Sequence, residues 1–373
     1  MSALQRILVV RVGAMGDVLH ALPAVAALRE LRPEWEIRWA IEPRWSALLA
    51  AGCAVPRPSP DQAGSGWGTR TFSASSRGVA MPVVDGWFGV ETREWKRLGF
   101  SKATLDNILG LRRKLRQGRF DVAVDMQGLV RSAVVGRMAG AGRMVGKAEP
   151  REGVAKVLYG ERVGVTAGHV VEQGCELLGA AVGLELKPGR VALPVDATAE
   201  TWCDALGLGE RPLVLLAPTA GWGAKAWPAE RYGQVAAELG KAGFRVLVNA
   251  VPGGDAVAEA VVRASDGAAV AVVCSVGEMV ALVRRAALVI AGDSGPLHLA
   301  AVLERPVVGI YGPTDPARTG PYGVGTAFPG RVLRDASSVT SHRRVTTVEA
   351  GMLRIGVKDV LGAAMEVSQE RLA

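Results

Sequence analysis

Two aspartates in this chain each stand in a short loop between an apolar run and a helix-like run. Asp17 closes the first loop, in which Ile7-Leu8-Val9-Val10-Arg11 leads through Val12-Gly13-Ala14-Met15-Gly16 to Asp17 and on to Val18-Leu19-His20-Ala21-Leu22-Pro23. Asp293 opens the second, in which Leu288-Val289-Ile290-Ala291-Gly292 leads to Asp293-Ser294-Gly295-Pro296-Leu297-His298 and Leu299-Ala300-Ala301. A glycine-bearing turn between a buried strand and a helix presents backbone N–H groups at a positive helix end, which suits a phosphate or a developing anion. Asp17, flanked by Gly16 and His20, has the placement of a general base toward a hydroxyl. Its ordinary alternative is an N-cap, for which Asp is favoured. In the second loop, Gly295 and Pro296 at the helix start leave N–H groups that can cradle a diphosphate, with Asp293 available to sugar hydroxyls. His298 alone reads more readily as a core or capping histidine.

Between them, Ala217-Pro218-Thr219-Ala220-Gly221-Trp222-Gly223-Ala224-Lys225-Ala226-Trp227-Pro228 combines small residues that allow close backbone approach with Lys225, a point charge suited to a phosphate. Asp255, after Val251-Pro252-Gly253-Gly254, ends another strand-like run where a ribose could be met, and Asp315 shapes a turn. The dinucleotide fingerprint G-x-G-x-x-G is absent, Trp39-Ala40-Ile41-Glu42 is a poor ribose-binding strand end, and there is no Walker A sequence. Dehydrogenase and P-loop chemistry are therefore disfavoured. No D-x-D triplet occurs, so a bound diphosphate is expected to be met by Lys225, hydroxyls and helix N-termini, without a metal or other cofactor. Cys53, Cys175, Cys203 and Cys274 are scattered and read as reduced cysteines of a cytoplasmic protein.

The elements needed to position these loops recur along the chain. At 373 residues, 49% hydrophobic and 21% charged, it is long enough for two globular α/β domains, and no apolar run reaches the ~18–20 residues of a membrane span. The N-terminus lacks a signal-peptide layout. Strand-like runs at residues 7–11, 36–41, 80–84, 121–125 and 143–146 alternate with helical patterns at 18–31, 45–50, 105–117, 131–139 and 170–182. After a Pro/Gly-bearing linker at 186–198, strands at 213–217, 245–249, 269–273, 288–291 and 307–311 alternate with helices at 229–241, 256–264, 276–286 and 297–303. The pattern predicts doubly wound parallel sheets in domains 1–190 and 198–345, and a final helical stretch, 346–373, available to pack back on the first domain. Residues 57–79, rich in Gly, Ser and Pro, read as a long loop. The net charge of +8 is uneven: residues 1–195 hold 27 Lys/Arg against 18 Asp/Glu, and residues 196–373 hold 17 against 18. The basic half, densest from Arg93 to Arg119, favours anionic partners.

Gly13-Ala14-Met15-Gly16-Asp17-Val18-Leu19-His20-Ala21-Leu22-Pro23 resembles the N-terminal signature of bacterial lipopolysaccharide heptosyltransferases, glycosyltransferase family 9. Asp125-Met126-Gln127-Gly128-Leu129 resembles its D-x-Q-G-L motif. Arg151-Glu152-Gly153 with Tyr159 is similar to the R-E-P…Y segment of the family's type I enzymes. Lys225-Ala226-Trp227-Pro228 is similar to K-x-W-P, Asp293 through Ala301 to D-T-G-x-x-H-L-A-A, and Tyr311-Gly312-Pro313-Thr314-Asp315-Pro316 completes the set. The likeness runs in order from about residue 6 to 325.

The resemblance implies a GT-B fold, two Rossmann-like domains facing a central cleft. It implies inverting transfer of L-glycero-D-manno-heptose from ADP-heptose to a Kdo residue of the lipopolysaccharide inner core, peripheral to the cytoplasmic face of the inner membrane. Carried over, Asp17 becomes the catalytic base. Lys225 and Thr219 meet the donor phosphates, Gly295, Pro296 and His298 with Ser294 the diphosphate, Asp293 the heptose, Asp255 the ribose, and Ser275 and Val276 the adenine. Gly16, His20, Gln127, Arg131 and Arg151 fall on the acceptor side. Ser294 replaces the usual Thr, Pro296 departs from the type I pattern, and the 57–79 loop is longer than the family leads one to expect. Another NDP-sugar or a later core acceptor is the alternative within the family. A basic nucleic-acid-binding protein is the alternative outside it, disfavoured because no recognition motif is present and no nucleic-acid partner is expected.

Overall fold

The computed structural model describes residues 5–50, 82–99, 101–341 and 343–370. The expected 57–79 loop and Cys53 lie outside these residues, as do the first two residues of the strand expected at 80–84. Two compact domains divide at Pro194/Val195, with Gly168–Val170 grouped with the second.

The first domain carries a parallel sheet of β1 (Arg6–Val10), β2 (Glu36–Ile41), β3 (Gly86–Gly89), β4 (Val122–Asp125), β5 (Arg143–Lys147) and β6 (Glu161–Val163), in the order β3-β2-β1-β4-β5-β6. The second carries β7 (Leu213–Ala217), β8 (Arg245–Ala250), β9 (Ala269–Val273), β10 (Leu288–Gly292), β11 (Val307–Tyr311) and β12 (Gly330–Arg334), in the order β12-β11-β10-β7-β8-β9. Both sheets have the same doubly wound order, and the central strands β4, β7, β10 and β11 are buried at every position. Strands covered on both faces read as continuous apolar runs, which is why they are visible in the sequence.

Several expectations change. Residues 82–85 are not a strand, with bends at Val83 and Asp85, and the strand beside β2 is Gly-Trp-Phe-Gly at 86–89. The stretch expected as a free linker is strapped onto the first domain: Leu186, Val191 and Leu193 are buried, and Gly189 donates its N–H to the Pro23 carbonyl at 3.0 Å. A helix, Ala197–Ala205, follows at once, capped by Asp196. The C-terminal stretch breaks at Ile355-Gly356 into helices Ala350–Arg354 and Val357–Glu370. The apolar stripe Val360, Ala363, Ala364 and Val367 of the last helix belongs to the core of the second domain.

Candidate functional site

In a doubly wound sheet, ligands collect beyond the carboxyl ends of the strands, where the order reverses. That point lies between β1 and β4 in the first domain and between β7 and β10 in the second. Asp17 follows β1 and the Asp125-Met126-Gln127-Gly128 turn ends β4. Lys225 follows β7, and Asp293 follows β10. Each domain thus places one of the two sequence-selected aspartates at its reversal point.

The helix bearing Asp17 begins at Met15, with Ala14 as its N-cap and no side-chain cap. Asp17 is therefore a first-turn residue, and the capping explanation fails. Its carboxylate is held by two arginines. Arg11 donates from Nη2 to Asp17 Oδ1 at 3.0 Å and from Nε to the Asp17 carbonyl at 3.0 Å, and its Nη1 reaches the Met126 carbonyl. Arg151 Nη1 lies 3.4 Å from Asp17 Oδ2. The Arg11 side chain is only 12% exposed, whereas that of Arg151 is 58% exposed. Arg11 consequently fixes the carboxylate from inside, and the Oδ2 edge meets a cation that solvent screens and a ligand can displace.

Behind this loop lies a buried scaffold. Asp125 is fully buried and accepts four hydrogen bonds: from the N–H groups of Gln127 at 2.9 Å and Gly128 at 3.1 Å, Ser132 Oγ at 3.0 Å and Tyr159 OH at 2.7 Å. Burial pushes its carboxyl above the usual range, opposed by those bonds. Burial and the neighbouring carboxylate push the Tyr159 phenol upward, keeping it a donor. Gly128 has φ +74°, and a Cβ there would meet the Arg151 N at 3.0 Å. The turn aims Gln127 at the Asp17 loop, where its Oε1 accepts the N–H groups of Val12 at 2.9 Å and Gly13 at 3.1 Å. A Cβ on Gly13 would stand 2.8 Å from both Asp17 Oδ2 and Gln127 Nε2, so a side chain there would displace one or both groups.

In the second domain, Asp293 has a side chain 10% exposed, with Lys225 Nζ bonded to Oδ2 and His298 Nε2 3.0 Å from Oδ1. Burial alone would raise this carboxyl. The hydrogen bond and charge of His298, with those of Lys225, outweigh it and hold Asp293 well below the usual carboxylate range. Lys225 also lies 4.1 Å from the centre of the Trp222 ring, a cation–π contact. The helix Gly295–Val302 starts with Ser294 as N-cap. Pro296 has no N–H, and those of Gly295 and Leu297 are first-turn groups without an intrahelical acceptor. Ser294 Oγ and Trp222 Nε1 are buried without a hydrogen-bond partner among the described residues.

Other selected residues turn out to be structural. Asp255 is the N-cap of Ala256–Ala264: Oδ1 accepts from Val257 and Ala258 N–H at 3.1 Å each, and Oδ2 from Val251 N–H at 3.0 Å and Thr219 Oγ1 at 3.2 Å. Both oxygens are engaged, which removes Asp255 from the ribose role, and Thr219 has its one hydroxyl proton committed there. Ser275 caps Val276–Arg285 in a capping box with Glu278, at the exposed end of that helix. Gln127 spends its side-chain carbonyl on the Asp17 loop. Gly16 and His20 sit partly exposed on the Asp17 helix; Arg131 is exposed near Gly128 and forms no ion pair with a described residue. Asp315 caps the turn Pro316–Thr319, as expected. Sequence reasoning missed Arg11, whose signal was a cation directly after the strand and two residues before Gly13.

The family model for glycosyltransferase family 9 (heptosyltransferase) matches residues 108–330. The chain is 28% identical over 322 residues to lipopolysaccharide heptosyltransferase 1 of Salmonella typhimurium, covering 85% of this chain and 92% of that one. It is 28% identical over 336 residues to lipopolysaccharide heptosyltransferase 1 of Pseudomonas aeruginosa, covering 87% and 84%. Among solved structures, the E. coli heptosyltransferase WaaC with ADP-2-deoxy-2-fluoro heptose aligns with a TM-score of 0.70 at 21% identity, over 97% of this chain and 99% of that one. A family 9 glycosyltransferase from Veillonella parvula aligns with a TM-score of 0.74 at 18% identity, over 98% and 97%.

Proposed function

The chain belongs to glycosyltransferase family 9 and has the GT-B fold, and from that premise we propose that it transfers L-glycero-D-manno-heptose from ADP-heptose to a Kdo residue of the lipopolysaccharide inner core, with inversion. The observation that carries this reading is Asp17 at the strand-order reversal of the first domain, locked through Oδ1 by Arg11, with Oδ2 facing the exposed Arg151. Its support is the likeness to heptosyltransferase 1 over 85% of the chain.

Asp17 Oδ2 takes the proton of the acceptor hydroxyl as that oxygen forms its bond to the anomeric carbon. On the opposite face the bond from that carbon to the ADP phosphate oxygen breaks, and ADP leaves with the electron pair. A base on one side and the leaving group on the other give inversion. Arg11 orients the carboxylate, and Arg151 is positioned to receive an acceptor carboxylate when it releases Asp17. At the donor, Lys225 meets the developing charge on the diphosphate. The N–H groups of Gly295 and Leu297, at the positive end of their helix, add to that stabilisation. Asp293 orients heptose hydroxyls, and His298 holds it. The reading assigns this neutralisation to protein groups, without a divalent cation.

Asp17→Asn preserves shape and removes the base. It is expected to lower kcat by ~10²-fold or more, as general-base loss does, while ADP affinity in calorimetric titration stays unchanged. A fall of only a few-fold in a folded variant would make Asp17 a structural partner of Arg11.

A further inference from the structure

The helix Lys102–Gln117 buries Thr104, Leu111 and Leu115, a stripe at helical spacing, against the first domain. At 100° per residue, Lys102, Leu105, Leu109, Arg112, Arg113 and Arg116, all exposed, share one arc about 100° wide on one flank of that stripe. Leu105 and Leu109, one turn apart, are 56% and 45% exposed. The helix has one acidic residue, Asp106, at the margin of the arc. None of the four cations of the arc pairs with a carboxylate of a described residue. A merely solvated helix face intersperses both signs of charge and i,i+4 acid–base pairs. Here cations surround two leucines, an arrangement that lies flat in a headgroup layer: the leucines enter the acyl boundary and the long basic side chains reach the phosphates.

We propose that this helix docks the first domain onto an anionic phospholipid bilayer. The argument rests on charge complementarity together with the exposed leucines, which a nucleic-acid backbone would leave in water. It deepens the reading that the acceptor is lipid-anchored, because docking confines the enzyme to the surface that holds the acceptor.

The test is sedimentation of the full chain with vesicles of phosphatidylcholine alone and of three-to-one phosphatidylcholine and phosphatidylglycerol. Wild type is expected to bind the anionic vesicles and to weaken as salt rises. Arg112→Glu/Arg113→Glu/Arg116→Glu is expected to bind at least ~10-fold more weakly. Leu105→Ser/Leu109→Ser is expected to lose the part of binding that survives high salt. Both variants should transfer to a lipid-free Kdo acceptor at the wild-type rate. Unchanged vesicle binding by the arginine variant overturns the proposal, as does retention on random duplex DNA with none on vesicles. Failure of wild type on the lipid-free acceptor would instead count against the proposed function and leave the vesicle result standing.

Discussion

The pair formed by Lys225 and Asp293 shows how one contact can serve both the fold and the chemistry. Each side chain is about a tenth exposed, so neither charge can be left alone. Lys225→Met should destabilise the protein by about 3 kcal/mol, the usual cost of stripping one partner from a buried ion pair. Lys225→Met/Asp293→Asn should recover much of that loss, measured as the urea midpoint at constant slope. The pH dependence has a definite sign. The folded carboxyl of Asp293 is depressed below its unfolded value of about 3.9, so its stabilisation is present above that pH and fades as pH falls. The stability gap between wild type and Lys225→Met should therefore hold steady from neutral pH to about 5 and narrow in stronger acid. A gap that widens in acid would contradict the pairing.

At the scale of elements, the second domain ends on a helix whose inner face is part of its core. Val360→Ala and Val367→Ala should each cost about 2 kcal/mol, from lost apolar burial plus the cavity left behind, whereas Lys358→Ala on the exposed side should leave the melting temperature unchanged. Equal behaviour of all three variants would mean that the helix does not seal this core. The break at Ile355-Gly356 was hidden because the apolar spacing continues across it. The fully buried strands were readable as apolar runs. Of the edge strands, β9 was readable but β6, Glu-Arg-Val, and β12, Gly-Arg-Val-Leu-Arg, were not, because one-sided pairing leaves such strands free to be polar. β3 is bracketed by two glycines, which mimic a turn. At the site, the loops holding Asp17 and Asp293 were legible because strand, glycine and helix follow one another locally. The contacts of Thr219 and Gln127 were not, because their partners, Asp255 for the one and Val12 and Gly13 for the other, lie far along the chain. Asp255 and Ser275 occupy helix starts, where a cap and a ligand contact look alike in sequence.

Across the whole molecule, one sheet order occurs twice, and each copy presents an aspartate at its reversal point with a basic partner beside it. The charge is not duplicated: the excess of cations lies in residues 1–195, the half that carries Asp17, Arg151 and the Lys102–Gln117 helix. Among the described residues no helix is long and apolar enough to cross a membrane. Under the proposed function, the basic half meets an acidic lipid-linked acceptor and the other half meets the nucleotide sugar. The most direct test is incubation of the purified full chain with ADP-heptose and a Kdo-containing lipid A acceptor, with and without excess chelator, followed by mass spectrometry of the acceptor. The account predicts a gain of one heptosyl residue at the same rate in both conditions, with inverted anomeric configuration. Transfer that stops in chelator would contradict the metal-independent site, and no transfer from ADP-heptose, beside turnover of another nucleotide sugar, would contradict the central claim.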